Sequence, residues 1–142
     1  MELQDRPSID SEVQSELLTR ARDAASKAYV PYSEFPVGAA VLAADGSIHT
    51  GCNVENASYG LTICAERVAI FKALSDGKRS FRRIAVVADT PSPTPPCGAC
   101  RQIIWEFCGD VEVIIANLTT VSATLRMKDL LPLPFDKSLL GP

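Results

Sequence analysis

Thr62-Ile63-Cys64-Ala65-Glu66-Arg67-Val68-Ala69-Ile70-Phe71-Lys72-Ala73-Leu74-Ser75 is the stretch on which the fold turns. Its apolar residues fall on most sides of a helix and Gly77 supplies a stop, which predicts a buried helix over about 62–75. Near its start stand Cys64 and, two residues on, Glu66. A pair of thiols in Pro96-Cys97-Gly98-Ala99-Cys100, the first of them thirty-three positions after Cys64, opens another predicted helix, Gly98–Cys108. Both motifs are entered from a loop. Free N–H groups and the positive end of a helix stabilise thiolates at such places and favour metal ligation.

Three thiols are one short of a closed structural zinc site, which uses four protein ligands. A catalytic zinc instead keeps one position open for water, and a neighbouring carboxylate can move that water's proton. Glu66 is placed for that work. Three thiolates close together repel one another, and a divalent cation removes the conflict. They also leave zinc with a net charge of about −1, although the water it activates must fall from a pKa of about 15.7 to about 7, roughly 12 kcal/mol. A positive group must offset the sulfur charge. Arg67, one helical turn from Cys64, is the first candidate, and Arg101, beside Cys100, the second. Two other readings stay open. Cys52 could complete a four-cysteine staple, although a 142-residue core does not need one. Cys97-x-x-Cys100 could be a redox pair, which leaves Cys64 and Glu66 without a role.

Outward from these motifs the pattern is one of helices alternating with short strands. Val13, Leu17, Leu18, Ala21, Ala24, Ala25 and Ala28 keep three-and-four spacing and predict an amphipathic helix over 10–28. Pro31 forces the chain out of helix. Val37–Ala44 and Ser47–Cys52 flank Asp45-Gly46 as a hairpin. Gly38 and Gly51 mark places where a backbone or ligand comes close. Arg83–Ala88 and Val111–Ala116 read as buried strands, with the proline-rich 89–96 as a loop between. Lys128–Leu131 is a short helix before Pro132 and Pro134. The order implies an α/β/α sandwich over a mixed sheet, a single domain over 1–142 with 1–9 as a loose arm.

Composition narrows the function. Apolar residues make up 46% and charged residues 22%, the balance of a globular chain. A net charge of −3, with no basic or aromatic stripe, is a poor footprint for a nucleic-acid partner. No apolar run reaches membrane-spanning length, and Met1-Glu2-Leu3-Gln4-Asp5 is not the start of a secretory signal, so a cytoplasmic home is expected. Five cysteines grouped around Cys-x-x-Cys fit a reducing compartment better than a disulfide framework. Cys52 and Cys108 read as small buried apolar side chains.

With those residues in hand, the chain resembles the small cytidine deaminases that act on the free nucleoside. Cys64-Ala65-Glu66 followed by Pro96-Cys97-Gly98-Ala99-Cys100 is the all-cysteine form of the zinc deaminase signature. The likeness runs from about Ala24 to Phe135 through Ala28-Tyr29-Val30-Pro31-Tyr32-Ser33-Glu34-Phe35, Gly51-Cys52-Asn53-Val54-Glu55-Asn56-Ala57-Ser58-Tyr59 and Leu130-Leu131-Pro132-Leu133-Pro134-Phe135. It implies a five-stranded mixed sheet in a three-layer sandwich, one zinc per subunit on Cys64, Cys97 and Cys100, and a homotetramer with shared sites. The implied reaction is hydrolytic deamination of cytidine and deoxycytidine, a step of pyrimidine salvage, with Glu66 moving the protons. By the same match Asn53 and Glu55 hold the ribose 3′-hydroxyl, and Ala65 and Phe35 meet the pyrimidine. Phe135 reaches over the ring from another subunit, and Ala57 and Tyr59 serve the neighbour's 5′-hydroxyl end. Two departures stand out. Pro95 occupies the place of an expected Ser or Thr, and the tail after Phe135 loses its usual pattern. Three rivals share the motifs: a deaminase of aminonucleoside antibiotics, against which Glu55-Asn56 argues, a polynucleotide deaminase and a zinc-stabilised scaffold.

Overall fold

The computed structural model describes residues 9–141. Five strands form one sheet in the order β2-β1-β3-β4-β5. They are β1 (Val37–Ala43), β2 (Ile48–Cys52), β3 (Phe81–Ala88), β4 (Glu112–Ala116) and β5 (Val121–Arg126). Helix α1 (Ile9–Ala25) covers one face, while α2 (Ala65–Ser75) and α3 (Gly98–Cys108) cover the other, with a short α4 (Met127–Leu130) at the end of β5. This is the expected α/β/α sandwich on a five-stranded mixed sheet. Only the β3–β4 pair is parallel.

Period-two alternation places the core on both sides of the sheet. Ala39 and Val41 of β1 face α2, while Ala40 and Leu42 face α1. On β3 the same division separates Ile84 and Val86 from Ala85 and Val87. Both faces are covered, which is why these strands read as apolar runs. At Gly38 and Gly51 a helix comes close against the sheet. A Cβ at Gly38 would lie 2.0 Å from the Ala21 carbonyl oxygen, and one at Gly51 would lie 2.5 Å from that of Ala65. The close approach expected there is made by helix backbone.

Several boundaries differ from expectation for physical reasons. Helix α1 ends at Ala25, where Ser26 and Lys27 tighten into i→i−3 bonds to Asp23 and Ala24. The chain is then drawn into extended pairing, Tyr29 N–H to Asn53 and Glu55 N–H to Tyr29. Helix α2 begins at Ala65, not Thr62, because Ile63 is held extended by mutual bonds with Val54. It is also less enclosed than its composition suggests: Phe71 is 42% exposed and meets the Phe107 ring edge-on at 6.4 Å. Of the expected arm over 1–9, residues 1–8 lie outside the described residues and Ile9 opens α1. The short helix expected at Lys128–Leu131 is α4, one residue earlier. Strand β5 has no counterpart among the strands expected from the sequence. Its alternation is carried by only three apolar residues, of which Ala123 and Leu125 pack on the α2/α3 side.

The topology brings the two cysteine motifs together. β2 and β3 each run antiparallel to β1, so they point the same way and their following loops leave the sheet at the same end. One loop leads to Cys64 at the start of α2, the other to Cys97 at the start of α3.

Candidate metal centre and substrate cleft

Cys64 and Cys97 are the residues just before the first turns of α2 and α3, both with extended backbone, and Cys100 lies in the first turn of α3. Their sulfur atoms all lie within 4.8 Å of one another, with Cys64 Sγ and Cys97 Sγ 3.8 Å apart. Tetrahedral zinc with sulfur at about 2.3 Å sets sulfur atoms about 3.8 Å apart. The donor set therefore fits zinc. Among the described residues this is the one group of side chains brought together as a metal seat. Cys52 stands outside it, with its thiol donating to the Lys27 carbonyl at 3.6 Å, so a four-cysteine staple does not form.

The charges around the sulfurs explain why a cation belongs there. A hydrogen bond from Cys100 and the Arg67 guanidinium together hold the Cys64 thiol down to about 5. The Cys100 thiol is driven strongly upward by that same bond, by burial and by the nearby Glu66 carboxylate. One thiolate forms readily and a second is opposed. Arg67 Nη2 donates to Cys64 Sγ at 3.3 Å, and its Nε is buried without a hydrogen-bond partner. Arg101 does not turn towards the sulfurs. Its Nε donates to the Pro96 carbonyl at 2.8 Å and its Nη1 to the Leu130 carbonyl at 2.9 Å.

Glu66 is 4% exposed, in the first turn of α2 beside the thiols. Burial first, and then the negative charge at Cys64, push its carboxyl up to about 6. It opens into a cleft of about 440 Å³ lined also by Cys64, Cys97, Ala65, Phe35, Asn53 and Glu55. Larger grooves elsewhere on the surface contain none of these groups.

The polar wall of the cleft is fixed in advance. Asn53 Oδ1 accepts from Val37 N–H at 2.9 Å and its Nδ2 donates to the Phe35 carbonyl at 2.8 Å. Glu55 Oε1 accepts from the N–H groups of Tyr32 and Ser33, and Ser33 holds its carboxyl below the usual range. Ser33 and Thr94 also line the cleft, and no motif in the sequence gives either of them a role there. Ser33 sits in the Tyr32-Ser33-Glu34 block, and Thr94 precedes Pro95-Pro96. Ala57, Tyr59 and Phe135 do not line it. Tyr59 is 74% exposed and packs edge-on against Tyr32 at 5.8 Å, and Phe135 is 58% exposed. No helix among the described residues is long and apolar enough to cross a membrane.

Three thiols and a buried carboxylate gathered at one end of the sheet, in a cleft with a preset polar wall, define a zinc-dependent hydrolase. The family described as "Cytidine and deoxycytidylate deaminase zinc-binding region" matches residues 11–117, and the chain belongs to it. The cytidine deaminase of Sporosarcina psychrophila is 54% identical over 126 residues, 88% of this chain and 93% of that protein. That of Halalkalibacterium halodurans is 55% identical over 117 residues, 82% of this chain and 89% of its own length. The crystal structure of cytidine deaminase from Burkholderia pseudomallei superposes with a TM-score of 0.82 at 48% identity, covering 85% of this chain and 98% of that one.

Proposed function

We propose that the chain deaminates cytidine and deoxycytidine hydrolytically, releasing ammonia and uridine or deoxyuridine. The observation that carries this reading is the buried Glu66 beside Cys64, Cys97 and Cys100 in the cleft walled by Asn53 and Glu55. Zinc, when bound by the three thiolates, supplies the Lewis acid that makes water a nucleophile near neutral pH. Glu66 takes the proton of the attacking water and delivers it to ring N3 as the hydroxyl adds at C4. It then takes the remaining proton of the added hydroxyl to the exocyclic nitrogen, and the C4–N bond breaks as the C4 carbonyl forms, releasing ammonia. Asn53 retains its second amide hydrogen and Glu55 its second oxygen, which suit one ribose hydroxyl as donor and acceptor. Phe35 packs on the pyrimidine and Ala65 borders it.

Further copies of the chain complete the site in this reading. Ala57, Tyr59 and Phe135 lie outside their own cleft and are exposed, as groups that serve a neighbour must be. Leu133 is fully exposed and Leu61 65% exposed, apolar surface that a homotetramer would cover. The cell compartment is the cytoplasm and the role is pyrimidine salvage.

The deciding experiment follows the ultraviolet absorbance of cytidine on addition of purified protein, with zinc quantified. Loss of absorbance at one zinc per chain is expected. Zinc without turnover on either nucleoside would overturn the reading. Deoxycytidine should be used within about tenfold of cytidine in kcat/KM, since Asn53 and Glu55 engage the 3′-hydroxyl and leave the 2′-position unread. A larger ribose preference refutes that assignment. Arg67→Gln removes the charge beside Cys64 and is expected to weaken zinc retention by roughly 10- to 100-fold. Wild-type retention in a chelator titration would remove Arg67 from that role.

A further inference from the structure

Three side chains on α3 reach away from the metal seat to one segment of the C-terminal chain. Arg101 Nη1 donates to the Leu130 carbonyl at 2.9 Å, Gln102 Nε2 to the Phe135 carbonyl at 2.8 Å and Trp105 Nε1 to Asp136 Oδ2 at 2.9 Å. Arg101 alone also faces the other way. Its Nε donates to the Pro96 carbonyl at 2.8 Å, while its backbone N–H donates to the Cys97 carbonyl at 2.9 Å. The backbone bond is the first of the helix and any residue but proline would make it, but the guanidinium itself ties the carbonyl just before Cys97 to the end of α4 (Met127–Leu130). The Leu130 carbonyl belongs to the last turn of that helix, whose carbonyls have no partner further along the helix. A planar fork of donors can satisfy two carbonyls at fixed angles, which a single ammonium cannot.

We propose that Arg101 is a positioning residue that locks the Pro96–Cys97 ligand loop to the 130–136 segment, so that the metal seat and the placement of Phe135 are mechanically coupled. The tie spans 29 residues of sequence. Gln102 and Trp105 continue it along the segment and fix the chain at Phe135 and at the residue after it. The consequence for substrate rests on the proposed function, in which Phe135 covers the pyrimidine in a neighbouring copy. The consequence for the metal does not.

Arg101→Lys keeps the charge and most of the stem but cannot hold both carbonyls. It is expected to release zinc to a chelator at least about tenfold faster and to raise the KM for cytidine. Gln102→Ala frees only the Phe135 carbonyl, so it should raise KM while releasing zinc at the wild-type rate. A residue that merely stabilised the fold would lower the melting temperature and leave both quantities unchanged in the folded protein. Zinc release at the wild-type rate in Arg101→Lys overturns the proposal. The wild-type protein supplies a second test that needs no variant and no substrate. Zinc loading should slow amide hydrogen exchange across 130–136, none of which is a ligand, and exchange there that ignores zinc overturns the coupling. A chain that passes the exchange test but does not deaminate cytidine would refute the substrate reading while leaving the metal coupling in place.

Discussion

Glu66→Gln is expected to fold, to bind one zinc per chain and to lose roughly 10³-fold or more of its turnover. The thiols that make up the metal seat are untouched by the substitution, so metal content should not change. Stability should not fall either. The wild-type carboxyl is 4% exposed and burial opposes its ionised form, so a neutral amide of the same shape is no worse buried. What the amide cannot do is accept a proton. The proposed reaction asks one side chain to take a proton from water, give it to N3 and supply another to the leaving nitrogen, and all these transfers fail together. The measurement is single-turnover and steady-state deamination beside zinc content and melting temperature. Near-normal turnover in a zinc-loaded variant would refute the proton-transfer role. Loss of zinc along with activity would make Glu66 part of the metal seat instead.

The two cysteine motifs were legible because loop, helix start and thiol coincide. Pro96 closes the proline-rich loop and α3 begins at Gly98, as the sequence indicated. The close approaches at Gly38 and Gly51 were legible for a similar reason, since a glycine inside an apolar strand forgoes side-chain packing unless a neighbour must come close. Strand β5 was not. The turn before it is built by Asn117, whose Oδ1 accepts from the N–H groups of Thr119 and Thr120, and no Gly or Pro announces it. As an edge strand it buries little, so its apolar residues are few. The contacts that set the cleft wall are also beyond local pattern. Glu55 is held by Tyr32 and Ser33 over 23 and 22 residues, and Arg101 by Leu130 over 29. Sequence spacing marks which residues carry chemistry. It is silent on where an arginine near a ligand points: Arg67 donates to the Cys64 sulfur, whereas Arg101 donates to the Pro96 and Leu130 carbonyls.

Gly51→Ala is expected to damage the metal centre without touching a ligand. Its Cβ would stand 2.5 Å from Ala65 O, 2.5 Å from Ala69 N and 2.9 Å from Val68 Cβ. Two of those three atoms are helix backbone, which cannot swing aside as the end of a flexible side chain can. Either α2 moves off the sheet or β2 bends away from it. Overpacking of this kind costs roughly 1–3 kcal/mol, and more where backbone must yield. The helix that is displaced begins directly after Cys64 and contains Glu66, so the first turn shifts relative to Cys97 and Cys100 on α3. A thiol moved by a few tenths of an ångström no longer meets the other two at one tetrahedral centre. Zinc affinity should fall by roughly tenfold or more alongside the loss of stability. Gly60→Ala supplies the control for packing within one chain, because a Cβ there meets nothing of its own chain within 4 Å and no unusual backbone angle is needed. It should leave stability within about 0.5 kcal/mol and zinc binding unchanged. The pair is read by thermal melting with and without chelator and by zinc titration of the folded protein. If Gly51→Ala matched Gly60→Ala in both, contact between β2 and α2 would not be what sets the position of Cys64.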